Sequence, residues 1–288
     1  MLERILLAII CSGLSGVDSS ILYLSCEKGK SQLVFSIHNN LGMLGLLLAA
    51  GIYSMLPNGA YSLSGFLTVI TYSIAMILSF GLQEVKKSEK QAPFHIQENF
   101  TILKETLCNS KMLFLVLSVA IITETHHTIT VFLNQLQYIS TGISPKSISI
   151  IYMFVTLSSL LGIFSTFGTK RLGKKTFGKL LLLLCFTACA VLSFTKNALL
   201  SVACILLLNI CFSLFQPLQE EQRNDTITTT NRATVLSIHS VIIDSLGIFI
   251  TMILGKVADI NISSAFGIGA LLCFWAFILY SLSQSHRQ

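Results

Sequence analysis

SGVDSSILYLSCEKGK (15–30) follows directly on the apolar run ILLAIICSGL (5–14), so Asp18 falls about two turns inside a stretch of membrane length. A carboxylate in hydrocarbon is expensive unless it is paired, neutralised or set against water. Its presence there marks the segment as part of a polytopic membrane protein in which polar groups have a task, and the rest of the chain agrees. Of 288 residues, 53% are hydrophobic and only 11% charged, with a mean hydropathy of +0.75. Soluble domains carry roughly 25% charge, so much of this surface faces lipid. The +6 net charge is spread over short loops, and no nucleic-acid footprint is expected.

Nine apolar segments can be counted, at about 4–25, 33–56, 60–83, 112–136, 147–168, 177–195, 198–217, 233–256 and 263–284. The prolines at 57, 93, 145 and 217 fall at or between segment ends, as expected of helix breakers. Numbering the connections alternately puts fifteen Lys and Arg on one side and four on the other. By the positive-inside rule the first side is cytoplasmic, which puts the C-terminus inside and the N-terminus outside a multi-pass protein of the cell (plasma) membrane. The first segment carries Glu3 beside Arg4 and lacks a small-residue cleavage site, so it reads as a retained span. The longest connection, 84–111, begins with the charged run EVKKSEKQ and continues after Pro93 into an amphipathic segment with Phe100, Leu103 and Leu107 on one face. It separates three spans from six. The eight cysteines, mostly within apolar runs and without a CxxC pair, read as small packing residues.

SGVDSSILYLS (15–25) resembles the SGAD-x-A-LLYDS signature of the fourth helix in bacterial transporters of the major facilitator superfamily. NRATVLSIHS (231–240) is similar to the start of that superfamily's eleventh helix. GTKRLGKK (168–175) resembles its loop between helices eight and nine, with Lys170 where an Asp is usual. The resemblance implies an all-α, major-facilitator-like bundle arranged 3 + 6. Residues 1–83 would be a partial N-terminal bundle equivalent to helices four to six, 84–111 the central cytoplasmic loop, and 112–288 a six-helix C-terminal bundle. Helices equivalent to one to three would then be lacking from the chain. It further implies a secondary active transporter of a small molecule, with proton-coupled antiport in the direction of efflux. The alternatives are a truncated, non-transporting remnant and a membrane subunit completed by a second chain that supplies the missing helices.

Among thirteen acidic residues, Asp18, Glu124 and Asp244 stand out as lying well inside spans. In IITETHHTITVFLNQ (121–135), helical spacing aligns Glu124, His127, Thr128 and Gln135. A carboxylate one turn from an imidazole at mid-membrane can pass a proton; the bland reading is a pair that fixes helix packing. His126 points elsewhere, and neighbouring histidines diverge too far on a helix to share a metal. Ser237, Ser240, Asp244, Gly247 and Thr251 form a second polar stripe, as on a wall facing water or a partner helix. Glu124, His127, Asp244 and Gln135 are thus candidates for proton coupling or substrate contact. Asp18, His38, Asn39, Arg171 and Arg232 are candidates for gating or structural ion pairing. The partners expected are protons, a small-molecule substrate and the lipid bilayer. No catalytic residue, metal or cofactor is expected, since Walker, GxGD, HExxH, Ser–Lys and histidine-box patterns do not occur.

Overall fold

The computed structural model describes residues 2–27, 29–57, 61–82, 109–227 and 231–285. Among them are nine helices, or runs of helices, long and apolar enough to cross a membrane, and no strand. The first span is α1 (Leu2–Leu14) followed by α2 (Val17–Ser25). Next come α3 (Ser31–Ser54) and α4 (Tyr61–Ser79). The fourth span is α5 (Ser110–Thr128), a π-helical turn (Ile129–Leu133) and α6 (Asn134–Ser140). The fifth is α7 (Pro145–Ser158), a 3-10 stretch (Ser159–Phe164) and α8 (Ser165–Leu172). The chain closes with α9 (Lys174–Phe194), α10 (Ala198–Asp225), α11 (Arg232–Ile260) and α12 (Ile262–Ser285).

Local chemistry sets the helix starts. Asn109 accepts from the Met112 amide and Asn197 from the Leu200 amide, each satisfying a donor that the first turn leaves over. Ser144 does the same for Ser147, ahead of Pro145 in the first turn of α7. Helices α5, α9, α10 and α12 form the best-buried part of the molecule, around Leu182, Ile205, Leu208 and Phe266. Cys185, Cys189, Cys204, Cys211 and Cys273 are buried there as free thiols and fill small gaps between helices. Fully buried Tyr280 accepts from Gln222 Nε2 at 2.8 Å and donates to the Lys174 carbonyl at 3.3 Å, which ties α9, α10 and α12 together at one end.

The early helices attach through α2 and α3. Helix α2 packs on α11 and α10, and α3 on the 3-10 stretch, α8 and α10. Gln32 Nε2 donates to Ser165 Oγ at 2.8 Å and Thr169 Oγ1 at 2.7 Å, and Ser31 Oγ donates to Glu221 at 2.6 Å. No residue of α4 is buried.

Four sequence expectations are corrected. The first span is not one helix. It breaks at Gly16, whose φ of 76° lies in the left-handed region, so Asp18 occupies the first turn of α2 rather than a helix interior. There its carboxylate accepts from the Ser19 amide at 2.7 Å and meets the positive end of the helix dipole. Pro217 does not end the seventh span: α10 runs on to Asp225, because packing on α3 and α8 tolerates the one backbone bond that proline removes. The π-helical turn adds a residue to the coil, so the 3.6-residue count that aligned Gln135 with Glu124 does not carry across it. Residues 168–175 are not a loop but the end of α8, a pivot at Gly173 (φ 80°) and the start of α9. The amphipathic segment and Cys108 lie outside the described residues.

Candidate functional site

Two polar stripes, one on α5 and one on α11, face each other. The Glu124 side chain lies so close to Gly247 that a Cβ there would stand 2.6 Å from its carboxyl carbon. His127 and Asp244 lie within electrostatic reach of the Glu124 carboxylate. One turn further on, Thr128 Oγ1 and Thr251 Oγ1 share a hydrogen bond of 3.2 Å. Glu124 is half-buried, whereas His127 and Asp244 are exposed. The carboxylate is therefore reachable from one side of α5 and α11 and screened on the other. His127 also makes an edge-on contact with Phe132. Gln135, past the π-helical turn, is exposed.

His126, which follows the same helix on another face, is a structural element of the bundle. It stacks on Phe212 at a centroid distance of 4.0 Å, and its Nε2 lies 3.1 Å from Asn209 Oδ1. The Asn209 amide nitrogen in turn lies 2.8–3.0 Å from the Val155 carbonyl, Ser158 Oγ and Ser159 Oγ, among which its two hydrogens are shared. Every polar atom of this buried asparagine side chain thus has a partner, which is the condition for placing one among apolar helices.

The third cluster sits at the end of the bundle where α2 ends, α3 starts, α10 ends and α11 begins. Its core is QEEQRND (219–225), which follows Pro217 and so lies beyond the seventh segment as counted along the sequence. Glu221, only 3% exposed, pairs with Lys174 at 2.8 Å and accepts from Ser31. Lys174 also reaches Asp225 at 3.4 Å. Asp225 accepts from the Tyr23 hydroxyl at 2.8 Å, and the Arg232 guanidinium lies 4.4 Å from the centre of the Tyr23 ring. Arg232 donates to the Asn224 and Ile227 carbonyls, closing the turn between α10 and α11. Glu220 lies within electrostatic reach of Arg223 and Asp18, and the Asn39 carboxamide approaches it from α3 without closing a hydrogen bond.

Of the gating candidates, Asp18, Asn39 and Arg232 thus meet at this end of the molecule. His38 and Arg171 are exposed. The signal for Glu220, Glu221 and Arg223 is the run QEEQRND itself, seven helix-compatible polar residues with no glycine or second proline among them to end the helix. Reading the proline as a stop concealed it.

The motifs at Gly16 and at 232–237 also touch. Ala233 O and Ser237 N would stand 2.6 and 2.8 Å from a Cβ on Gly16, and Ser237 Oγ donates to the Ser15 carbonyl that the helix break leaves free. Compared with known families, residues 3–252 match the model of the Major Facilitator Superfamily. No curated protein matches the chain.

Proposed function

Since the chain belongs to the major facilitator superfamily, whose members are multi-pass secondary transporters of small molecules, we propose that it exchanges its substrate against protons, in the direction of efflux. The observation that carries the coupling is Glu124, a carboxylate half-buried between α5 and α11 with an imidazole and a second carboxylate in reach. Its surroundings change with any movement of α11, since the side chain rests against Gly247. A proton bound there is held or released as α11 shifts against α5 within the later six helices, so that the carboxylate's surroundings differ between the two states of a transport cycle. The efflux direction rests on the resemblance of SGVDSSILYLS alone. The distribution of Lys and Arg supports a plasma-membrane orientation with the C-terminus and the QEEQRND end cytoplasmic. In that orientation Asp18, Arg223, Glu220, Lys174, Glu221, Asp225 and Arg232 form a cytoplasmic clasp between the early helices and the later six.

The test is flux driven by a pH gradient in vesicles of purified protein. Glu124→Gln keeps shape and hydrogen bonding but removes the charge change; it is expected to abolish gradient-driven flux at unchanged protein level. Wild-type flux in that variant would leave Glu124 as a packing residue.

A second reading, that of a subunit completed by another chain, is favoured by one observation. His127 and Asp244 are exposed on helices of membrane-spanning length, and α4 buries no residue. Polar side chains at such depth face protein or water rather than lipid. Native mass spectrometry from membranes decides: a stable second chain supports this reading, and a lone chain that transports rejects it.

A further inference from the structure

Proline 217 stands inside α10 and carries no N–H, so no α-helical bond reaches the carbonyl of Ser213. That carbonyl faces the 3-10 stretch, where Gly162 admits it: a Cβ there would lie 2.8 Å from the Ser213 oxygen. The same place borders a cavity of about 20 Å³ between α3, the 3-10 stretch and α10. Ser36, Asn39, Asn40, Ser159, Ser213 and Gln216 supply its polar lining. Asn40 is only 8% exposed; its Nδ2 donates to the Ser36 carbonyl at 2.9 Å, and its Oδ1 has no hydrogen bond. The Asn39 carboxamide, from the adjacent position of α3, approaches Glu220 instead. Ser36 Oγ donates to the Gln32 carbonyl and Ser213 Oγ to the Asn209 carbonyl, while Ser159 Oγ accepts from Asn209 and keeps its own hydrogen.

Two acceptors on different helices are thus left over, Ser213 O and Asn40 Oδ1, with the Ser159 hydroxyl and the Gln216 carboxamide beside them. A water molecule has two hydrogens to give and lone pairs to receive. Its two hydrogens match these acceptors, its lone pairs take a third bond from Ser159 or Gln216, and a cavity of about 10–15 Å³ or more suffices to hold it. We propose that a single water binds at the Pro217 kink and joins α3 to α10 through Asn40 Oδ1 and the Ser213 carbonyl. Such a joint satisfies two buried acceptors without a direct bond between them, so this part of the α3–α10 contact can open when bulk water replaces the bound one, while Ser31 still holds Glu221 nearer the helix ends. A carbonyl and a carboxamide oxygen would also suit a small cation such as sodium. The lining favours water because it includes donors and no carboxylate.

The experiment is a thermodynamic cycle on the purified full chain in lipid. Pro217→Ala restores an N–H to the Ser213 carbonyl and removes one of the water's acceptors. Asn40→Ala removes another. If the water links them, Asn40→Ala lowers the unfolding midpoint by several degrees in the wild-type background and by clearly less in Pro217→Ala. Equal shifts in both backgrounds overturn the proposal. A midpoint that rises with sodium but not with potassium or choline overturns it in favour of a cation. Should a variant fail to fold, a lipid-phase crystal structure of the wild type that resolves ordered water decides. A density peak about 2.7–3.2 Å from both oxygens is the expected result, and its absence rejects the proposal.

Discussion

Gly247 is the floor on which Glu124 rests: the carboxyl carbon lies 2.6 Å from where a Cβ of residue 247 would be. A substitution at 247 therefore moves the carboxylate without touching it chemically. Glu124 is a flexible chain contacted near its end, so Gly247→Ala is expected to displace it at a stability cost within about 1–2 kcal/mol. If Glu124 couples transport to protons, this variant loses gradient-driven flux while its unfolding midpoint stays near that of the wild type. Full flux would show that the position of the carboxylate is immaterial.

Asp18 and Glu124 are expected to fail differently. Asp18 sits in the first turn of α2 at the clasp end, in reach of Glu220 and Arg223. Asp18→Asn should slow flux and leave its dependence on the pH gradient intact, whereas Glu124→Gln removes that dependence. Flux measured at several gradients separates the two, and an uncoupled Asp18→Asn would move the coupling role to the clasp.

The contact of Gly16 with α11 gives a stability prediction. Gly16→Ala puts a side chain at φ 76° and drives its Cβ against the Ala233 carbonyl and the Ser237 amide. The left-handed conformation alone costs about 1–2 kcal/mol, and the backbone contact adds to it. Ser237→Ala removes only the bond to the Ser15 carbonyl and should cost about 0.5–1.5 kcal/mol. Thermal unfolding in detergent should rank the two in that order.

In the clasp, Lys174→Met leaves Glu221 buried with only Ser31 as partner, at an expected cost of about 3 kcal/mol. Glu221→Gln keeps the bond from Ser31 and leaves the more exposed Lys174 to Asp225 and water, so it should cost less. Denaturation midpoints of both variants check the asymmetry.

Cys26 tests the orientation. Burial, with Glu221 and Asp225 nearby, holds its thiol above the ordinary value. Less of it is thiolate at neutral pH, so labelling should be slow there and speed up as pH rises through that higher value. In intact cells an impermeant maleimide should leave Cys26 untouched at every pH until the membrane is opened. Prompt labelling from outside would invert the topology.

The nine spans were legible in the sequence because burying apolar length in lipid is a local, additive property that any window of residues displays. So were the two stripes on α5 and α11, since a helix repeats every 3.6 residues whether or not its partner is known. What the sequence could not state is which stripe meets which, and the pairing of Glu124 with Gly247 belongs to the packing of two helices more than a hundred residues apart. The departures have one physical origin. A helix break at Gly16, a π-helical turn after Thr128 and a helix carried through Pro217 are each departures of the backbone that a 3.6-residue count along the chain does not register. At Gly16 the freed Ser15 carbonyl is satisfied by Ser237, from another helix. Asp18 shows the result. Read along the chain it is a charge buried in a span; in the fold it begins a new helix, as part of a clasp assembled from α2, α9, α10 and α11.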